Sequence, residues 1–119
     1  MLNTITNFYS PIQVGSSLWS QISVGSSTSF GIQSNGTLWT WGTNTNGQLG
    51  QGDSINRSSP VQIAGSWNNI AAGTSHVLAL KTDSTLWAWG LNSSSQLGTS
   101  DIADRSSPVQ VGTSSYQQI

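Results

Sequence analysis

The chain repeats itself. Residues 19–62 align on residues 67–110 without a gap, at a constant offset of 48 positions, and 20 of the 44 aligned pairs are identical. A period of about 40 to 50 residues is typical of stacked supersecondary units, each too small to bury its own apolar face. The sequence therefore predicts an array in which each unit depends on its neighbours.

Within each unit the pattern predicts a β-hairpin. Short β-prone runs at 29–32 and 77–80 are followed by a polar pair and then by a tryptophan-rich run, LWTWG in one copy and LWAWG in the other. The pair Asn35-Gly36 predicts a type I′ turn, because both residues tolerate positive φ. Its counterpart Asp83-Ser84 has serine in place of glycine, so we expect the second hairpin to be less stable.

Both faces of the tryptophan-rich strand are largely apolar. Side chains alternate along a strand, so Trp39 and Trp41 share one face while Leu38 lies on the other. A strand that is apolar on both faces suits a sheet packed between neighbouring sheets, as in a propeller blade. The predicted core consists of Trp19, Leu38, Trp39, Trp41, Trp67, Leu86, Trp87 and Trp89.

Proline marks the next strand of each unit. Ser-Pro recurs at Pro11, Pro60 and Pro108. Proline lacks the N–H that a central strand donates, so it suits a first strand position or an edge strand. Residues 61–63 and 109–111 are therefore predicted to be outer strands, and the small residues at 71–73 are predicted to lie near a crowded central axis.

The second unit resembles the repeats of the regulator of chromosome condensation family. The resemblance rests on W-x-x-I-A-A-G-x-x-H-x-L-A-L-K-T-D-S-x-L-W-A-W-G-x-N-x-x-x-Q-L-G, which starts at Trp67. It implies a seven-bladed β-propeller of four-stranded antiparallel blades. Members of that family are nucleotide-exchange factors, inhibitors of β-lactamases or interaction modules, so the resemblance implies binding of proteins on loop faces. The first unit departs from the pattern, with Thr28 in place of His76.

The predicted fold class is all-β, with two four-stranded antiparallel propeller blades and part of a third. The predicted organisation is an N-terminal arm at 1–9, a first repeat at 10–58, a second at 59–106 and the start of a third at 107–119. Residues 107–119 are in phase with residues 10–22. We expect the ring to be completed by a longer array or by further copies of the chain, and the isolated chain not to be a stable monomer.

Composition limits the possible functions. Only 6% of the residues are charged, the formal net charge is −1, and there is no cysteine. A nucleic-acid binder needs a basic surface, which three Lys and Arg residues do not supply. Residues 1–10 lack the pattern of a signal peptide, and no stretch reaches the length of a membrane span. The polar, lysine-poor surface favours an extracellular, cell-surface or virion location over the cytoplasm.

The candidate reactive residues favour structural roles. His76 is the only histidine, and neither a nucleophile nor a set of metal ligands accompanies it in the pattern. Asp53, Asp101 and Asp104 lack the dense Asp-x-Asp-x-Asp-Gly pattern of a calcium loop. Arg57 and Arg105 recur in identical contexts, which predicts that each pins a loop of its own blade. We therefore predict no catalytic residues, no cofactor and no metal.

The function predicted from sequence is that of a non-enzymatic scaffold for protein–protein contacts within a larger assembly. The alternative is a carbohydrate-binding propeller, in which polar loop side chains bond sugar hydroxyls and tryptophans stack on sugar rings. The loop residues proposed to make such contacts are Asn44, Asn46, Asn92 and Gln96. For the tryptophans, burial in the core is the better prediction because large aromatic side chains strongly favour it.

Overall fold

The computed structural model describes residues 13–112 together with residues 116 and 119. The predicted N-terminal arm lies outside these residues. The described part contains eight strands and no helix: β1 (Trp19–Val24), β2 (Thr28–Gln33), β3 (Leu38–Gly42), β4 (Arg57–Ile63), β5 (Trp67–Ala72), β6 (His76–Lys81), β7 (Leu86–Gly90) and β8 (Arg105–Gln110).

The strands form two sheets, each made of consecutive antiparallel strands. β1 to β4 form the first blade and β5 to β8 form the second, each in sequence order. The all-β class and the two four-stranded antiparallel blades are confirmed. The sheets are out of phase with the predicted repeat boundary at residue 59, because β4 spans that boundary and pairs with β3 of the first blade.

The turn of each hairpin differs from the predicted type I′ turn. In the first blade, the Gly36 N–H donates to the Gln33 carbonyl at 2.9 Å, and the Gln33 N–H donates to the Thr37 carbonyl at 2.9 Å. Gly36 has φ +84°, and Asn35 is not among the residues with positive φ. The loop therefore has three residues, a turn over Ser34-Asn35 followed by a left-handed residue. The prediction was wrong because it placed the turn one residue too late.

The second hairpin has the same geometry with a less suitable residue. The Ser84 N–H donates to the Lys81 carbonyl at 3.0 Å, and the Lys81 N–H donates to the Thr85 carbonyl at 3.0 Å. Ser84 takes the left-handed position with φ +70°. A side chain with a Cβ is strained in that region, whereas glycine is not.

Pro60 and Pro108 lie inside the fourth strands and not at their starts, and Pro11 lies outside the described residues. β4 begins at Arg57 and β8 at Arg105, and each is the outermost strand of its sheet. The pairing of β3 with β4 shifts register between Thr40 and Gly42, opposite the segment that holds Pro60. The missing N–H of proline is tolerated at such an irregularity on an edge strand. The predicted strand at 109–111 ends one residue earlier, at Gln110.

The main core lies between the two blades. Phe30, Ile32, Leu38 and Ile63 of the first blade pack with residues of the second blade. The second blade contributes Trp67, Ile70, Val77, Ala79 and Trp89. One apolar face of each blade is therefore hidden against the other blade, as the repeat predicts.

Polar contacts also join the blades. The Trp89 indole N–H donates to the Gln48 carbonyl at 2.8 Å, at a buried position. The Ile70 N–H donates to Gln21 Oε1 at 2.6 Å, and the Ala72 N–H donates to Ser23 Oγ at 3.0 Å. The innermost strands β1 and β5 are therefore joined by hydrogen bonds from backbone N–H groups of β5 to side chains of β1.

Candidate functional site

The candidate site is the end of the blades that carries the long loops. Each blade has one such loop between its third and fourth strands, at 43–56 in the first blade and 91–104 in the second. The Thr43 N–H donates to the Ser27 carbonyl at 2.9 Å, and the Leu91 N–H donates to the Ser75 carbonyl at 2.8 Å. These bonds place the short β1–β2 and β5–β6 turns at the same end.

A buried asparagine holds each loop together. Asn44 is fully buried, and its amide nitrogen donates to the Asp53 carbonyl, to Asp53 Oδ1 and to the Ile55 carbonyl, each at 3.0 Å. Its amide oxygen accepts the Leu49 N–H at 2.9 Å. One side chain thus bonds both halves of the loop, which fixes the loop backbone without regular secondary structure.

Asn92 does the same in the second blade. Its amide nitrogen donates to the Asp101 carbonyl at 3.0 Å, to Asp101 Oδ1 at 2.9 Å and to the Ala103 carbonyl at 3.0 Å. Its amide oxygen accepts the Leu97 N–H at 3.1 Å. The loop is therefore a repeated structural unit, although the two loops differ at most of their exposed positions.

An ion pair closes the far side of each loop. Arg57 Nη2 lies 2.8 Å from Asp53 Oδ2, and Arg57 Nη1 donates to the Ile55 carbonyl at 2.8 Å. Arg105 pairs with Asp101 in the same way. The hydrogen bond from Arg57 holds the pKa of Asp53 below its ordinary value, and the Ile55 N–H adds to this effect. The Thr99 hydroxyl makes the largest contribution to lowering the pKa of Asp101.

The structure shows which contacts the charged loop residues make. Both arginines pin their own loop, and Arg57 does so through a carbonyl as predicted. Asp104 accepts the Asn92 N–H at 2.8 Å, the role that Asn56 has in the first blade at the same distance. No group of three or more His, Cys, Asp or Glu side chains placed to hold a metal occurs among residues 13–112, 116 and 119.

The four predicted loop contacts divide into two groups. The amides of Asn44 and Asn92 are buried and bonded within the loop, so the structure corrects the expectation that they face a ligand. Asn46 is half-buried, and its N–H donates to Gln48 Oε1 at 2.8 Å. Gln96 is half-buried, and its Oε1 accepts the Ser94 N–H at 2.8 Å. The Gln96 side-chain oxygen is therefore also used inside its own loop.

The eight predicted core residues lie at different depths. Leu38, Leu86, Trp67 and Trp89 are buried. The other four tryptophans, Trp19, Trp39, Trp41 and Trp87, are half-buried. The indole N–H of Trp39 donates to Thr37 Oγ1 at 2.9 Å, and that of Trp87 donates to Thr85 Oγ1 at 2.8 Å. The indoles of Trp39 and Trp87 are therefore each held by a hydrogen bond to a threonine in the turn of their own hairpin.

Lys81 covers the half-buried indole of the second blade. Its Nζ lies 4.0 Å from the centroid of Trp87 and 5.2 Å from that of Trp67. A cation over an indole face is attracted by the ring quadrupole. Stacking of a sugar on this face of Trp87 is therefore blocked by the protein itself.

His76 has a packing role. A Cβ placed on Gly73 would lie within 3 Å of three atoms of the His76 ring. In the first blade the hydroxyl of Thr28 lies against Gly25 in the same way. The imidazole therefore fills the space beside a glycine in the β5–β6 turn, as the smaller threonine does in the other copy.

Two exposed isoleucines on the loops were not singled out from the sequence. Ile55 is 64% exposed and Ile102 is 67% exposed, each one or two residues after the aspartate that anchors its loop. They are not at equivalent positions of the repeat, since Ile55 aligns with Ala103 and Ile102 with Ser54. The available signal was an isoleucine in an otherwise polar loop.

Comparison with protein families gives a consistent result. The model described as "Regulator of chromosome condensation (RCC1) repeat" matches residues 35–80 and 83–119, and a second model with the same description matches residues 19–48. The chain belongs to the RCC1 repeat family. The resemblance inferred from the motif at Trp67 is confirmed, and each blade of the structure is built from RCC1 repeat sequence. A comparison with curated protein sequences finds no match.

Solved structures share the fold. Human WBSCR16 is 24% identical with a TM-score of 0.74, over 87% of this chain and 27% of that one. Yeast RCC1 (Prp20) in complex with Kap60 is 15% identical with a TM-score of 0.76, over 86% and 26%. Prp20p from Saccharomyces cerevisiae, described with its binding to Gsp1p and histones, is 15% identical with a TM-score of 0.72, over 86% and 27%. The chain spans about a quarter of the length of these proteins.

The structural alignments cover both blades of this chain. Both blades of this chain align with an RCC1 propeller over more than four fifths of the chain. The RCC1 repeat chain therefore forms two adjacent blades of a β-propeller.

No helix of sufficient length and apolarity to cross a membrane occurs in the described residues.

Proposed function

We propose that this RCC1 repeat chain is a non-enzymatic scaffold module that binds other proteins through the loops at 43–56 and 91–104. The observation that carries the proposal is the construction of these loops. Each is fixed from inside by a buried asparagine and an aspartate–arginine pair, and each presents one exposed isoleucine to solvent.

A rigid loop with an exposed apolar side chain suits protein recognition. Little conformational entropy remains to be lost on binding, because the loop backbone is already held by hydrogen bonds. Ile55 and Ile102 supply apolar area for a partner to cover. The yeast relatives bind other proteins, namely Kap60, Gsp1p and histones, which supports a protein partner for this chain.

The geometry gives less support to the other functions considered. Among the described residues, the aspartates of the loops are engaged by arginine, asparagine and backbone N–H groups, so they are not poised as acid or base. The amides of Asn44 and Asn92 are fully buried, and their nitrogen and oxygen atoms bond within the loop, so they do not reach a sugar hydroxyl. An extracellular, cell-surface or virion location stays a prediction from composition.

The proposal is tested by protein capture with matched variants. The immobilised chain, the double variant Ile55→Ser/Ile102→Ser and the control Leu18→Ser are compared by quantitative mass spectrometry after chemical crosslinking. Leu18 is 78% exposed, and its carbonyl accepts the N–H of Ser34 at the opposite, hairpin end of the first blade. We expect the loop variant to lose proteins that the control retains.

Two results would contradict the proposal. One is an identical set of captured proteins for the loop variant and the parent chain. The other is specific binding on a glycan array, which would assign the loops to carbohydrate. Circular dichroism and thermal unfolding of each variant establish that the blades stay folded, since solvent-exposed substitutions usually change stability by less than about 0.5 kcal/mol.

A further inference from the structure

Equivalent faces of the two blades differ in burial. The face that the second blade packs against the first blade is exposed in the first blade. We define the leading face as the side of a blade that carries Ile22, Val24 and Trp41 in the first blade and Ile70, Ala72 and Trp89 in the second. Ile22 is 73% exposed and Val24 67%, whereas Ile70 is 5% exposed. Trp89 is fully buried and Trp41 only half-buried. The leading face of the first blade therefore has its apolar side chains but no covering blade among the described residues.

A groove runs along this uncovered face. It has a volume of about 390 Å³ and is lined by apolar side chains that include Val14, Trp19, Ile22, Val24 and Trp41. Trp19 and Trp41 lie against each other with ring centroids 6.0 Å apart. Within the described residues, the indole N–H of Trp41 makes no hydrogen bond, whereas that of Trp89 bonds the Gln48 carbonyl at 2.8 Å.

The opposite side of the second blade carries the complementary surface. We define the trailing face as the side of a blade that receives the next blade, marked by Ser23, Phe30 and the Gln48 carbonyl in the first blade. The repeat places Ala71, Leu78 and the Gln96 carbonyl at the equivalent positions of the second blade. Phe30 is 1% exposed beneath the second blade, while Leu78 is half-buried.

The contact between the two blades joins the trailing face of the first blade to the leading face of the second, and we call this contact the joint. The chain also presents one further leading face, on the first blade, and one further trailing face, on the second. From this geometry we propose that the leading face of the first blade docks on the trailing face of the second blade of another copy. The contact is heterologous, so it extends into a ring or a chain of copies. In this joint the Trp41 indole donates to the Gln96 carbonyl of the other copy, and Ile22 becomes covered as Ile70 is. The inference rests on the fold and is independent of the loop surface proposed above.

The chain itself also starts to occupy the trailing face of the second blade. The Tyr116 N–H donates to the Ser84 carbonyl at 2.9 Å, as the Trp67 N–H donates to the Gly36 carbonyl at 2.9 Å in the existing joint. Tyr116 lies 97 positions after Trp19 and 49 after Trp67, one residue beyond the constant offset of 48, and these two tryptophans begin the innermost strands β1 and β5. An incoming copy therefore competes with the segment at Tyr116 for the same carbonyl, and one of the two is displaced.

The joint is tested with one variant on each of its halves. Ile22→Asp puts a carboxylate on the leading face, and Ala71→Glu puts one on the trailing face. Both positions lie outside the existing blade–blade core, and the exposure of Ile22 makes its replacement tolerable in the monomer. Leu18→Asp is the matched control, because Leu18 is 78% exposed and its repeat equivalent, Ser66, stays exposed beside the existing joint. Circular dichroism verifies that each variant is folded.

The measurement is sedimentation velocity of the 119-residue chain over a range of concentrations. We expect the parent chain and Leu18→Asp to associate, and each face variant to associate at least about a hundredfold more weakly, since an unpaired carboxylate would be buried in the joint. An equimolar mixture of Ile22→Asp and Ala71→Glu should form a dimer, because one intact face of each kind remains in the pair.

The mixture separates the proposal from its alternatives. A two-fold symmetric contact between leading faces would be abolished by Ile22→Asp, unaffected by Ala71→Glu and not restored by mixing. A parent chain that stays a folded monomer of 12.5 kDa at every concentration overturns the joint, as does a mixture in which both variants remain monomeric.

Discussion

Asn44→Asp is the sharpest test of how the long loops are built. The change preserves shape but replaces the amide nitrogen by an oxygen. That nitrogen donates to the Asp53 carbonyl, to Asp53 Oδ1 and to the Ile55 carbonyl, each at 3.0 Å. In the variant, three acceptors face a fourth oxygen in a buried site, and the new carboxylate lies beside that of Asp53.

The size of the effect follows from these contacts. Three lost hydrogen bonds contribute about 1 kcal/mol each, and burial of a charge next to a like charge adds to this, so the free energy of unfolding should fall by about 3 to 5 kcal/mol. Small domains are stable by only about 5 to 15 kcal/mol. The variant should therefore lose a large share of its stability and unfold roughly 10 °C or more below the parent chain.

Thermal and urea unfolding, followed by tryptophan fluorescence, measure the change. Asn46→Asp is the control, since it makes the same chemical replacement two residues away at a half-buried side chain that bonds nothing among the described residues. We expect it to cost less than about 0.5 kcal/mol. Equal unfolding midpoints for Asn44→Asp and Asn46→Asp would refute the assignment of Asn44 as the internal clamp of the loop.

Three further predictions follow from the turns, the ion pairs and the C-terminal segment. Ser84→Gly should stabilise the chain by about 0.5 to 1 kcal/mol and Gly36→Ser should destabilise it by a similar amount, because both positions are left-handed, at φ +70° and +84°; urea midpoints that move in the same direction for both variants would contradict this. The pKa values of Asp53 and Asp101 are lowered in the folded state, so their contribution to stability is present above the unfolded value of about 3.9 and is lost as pH falls through the lower folded values. Urea midpoints at pH 7 and pH 3 should accordingly differ less in Asp53→Asn/Asp101→Asn than in the parent chain, and an unchanged difference would count against the two ion pairs. Deleting residues 116–119 should strengthen self-association in sedimentation velocity, because the Ser84 carbonyl is then free for an incoming copy; weaker association would mean that the segment takes part in the joint and does not compete with it.

The strands and their order were predictable because their signals are local. Alternation in LWTWG and LWAWG, the β-prone runs before them and the proline-containing edge strands each depend on a few adjacent residues. The constant offset of 48 then indicated that two such sets are equivalent. The details of the turn at Gly36 were predicted wrongly, because the same dipeptide suits a two-residue and a three-residue loop, and only the pairing of Gln33 with Thr37 distinguishes them.

The loop clamps depended on contacts across the loop. Asn44 looks like any polar loop residue in the sequence, and its burial comes from acceptors nine and eleven positions away. The repetition of Asn44 and Asp53 as Asn92 and Asp101 was visible in the alignment, but their pairing was not. Identity at equivalent positions shows that a residue matters in both copies without showing what it contacts.

By itself, the sequence determined that the chain forms equivalent β-rich units whose tryptophans need a neighbouring unit to cover them. The tertiary structure decided which tryptophans are covered. Trp41 and Trp89 occupy the same place in almost identical strands, yet Trp89 is fully buried and bonded to the Gln48 carbonyl, while Trp41 is half-buried. The reason is that burial depends on which sheet packs against the strand, and that sheet lies tens of residues away along the chain.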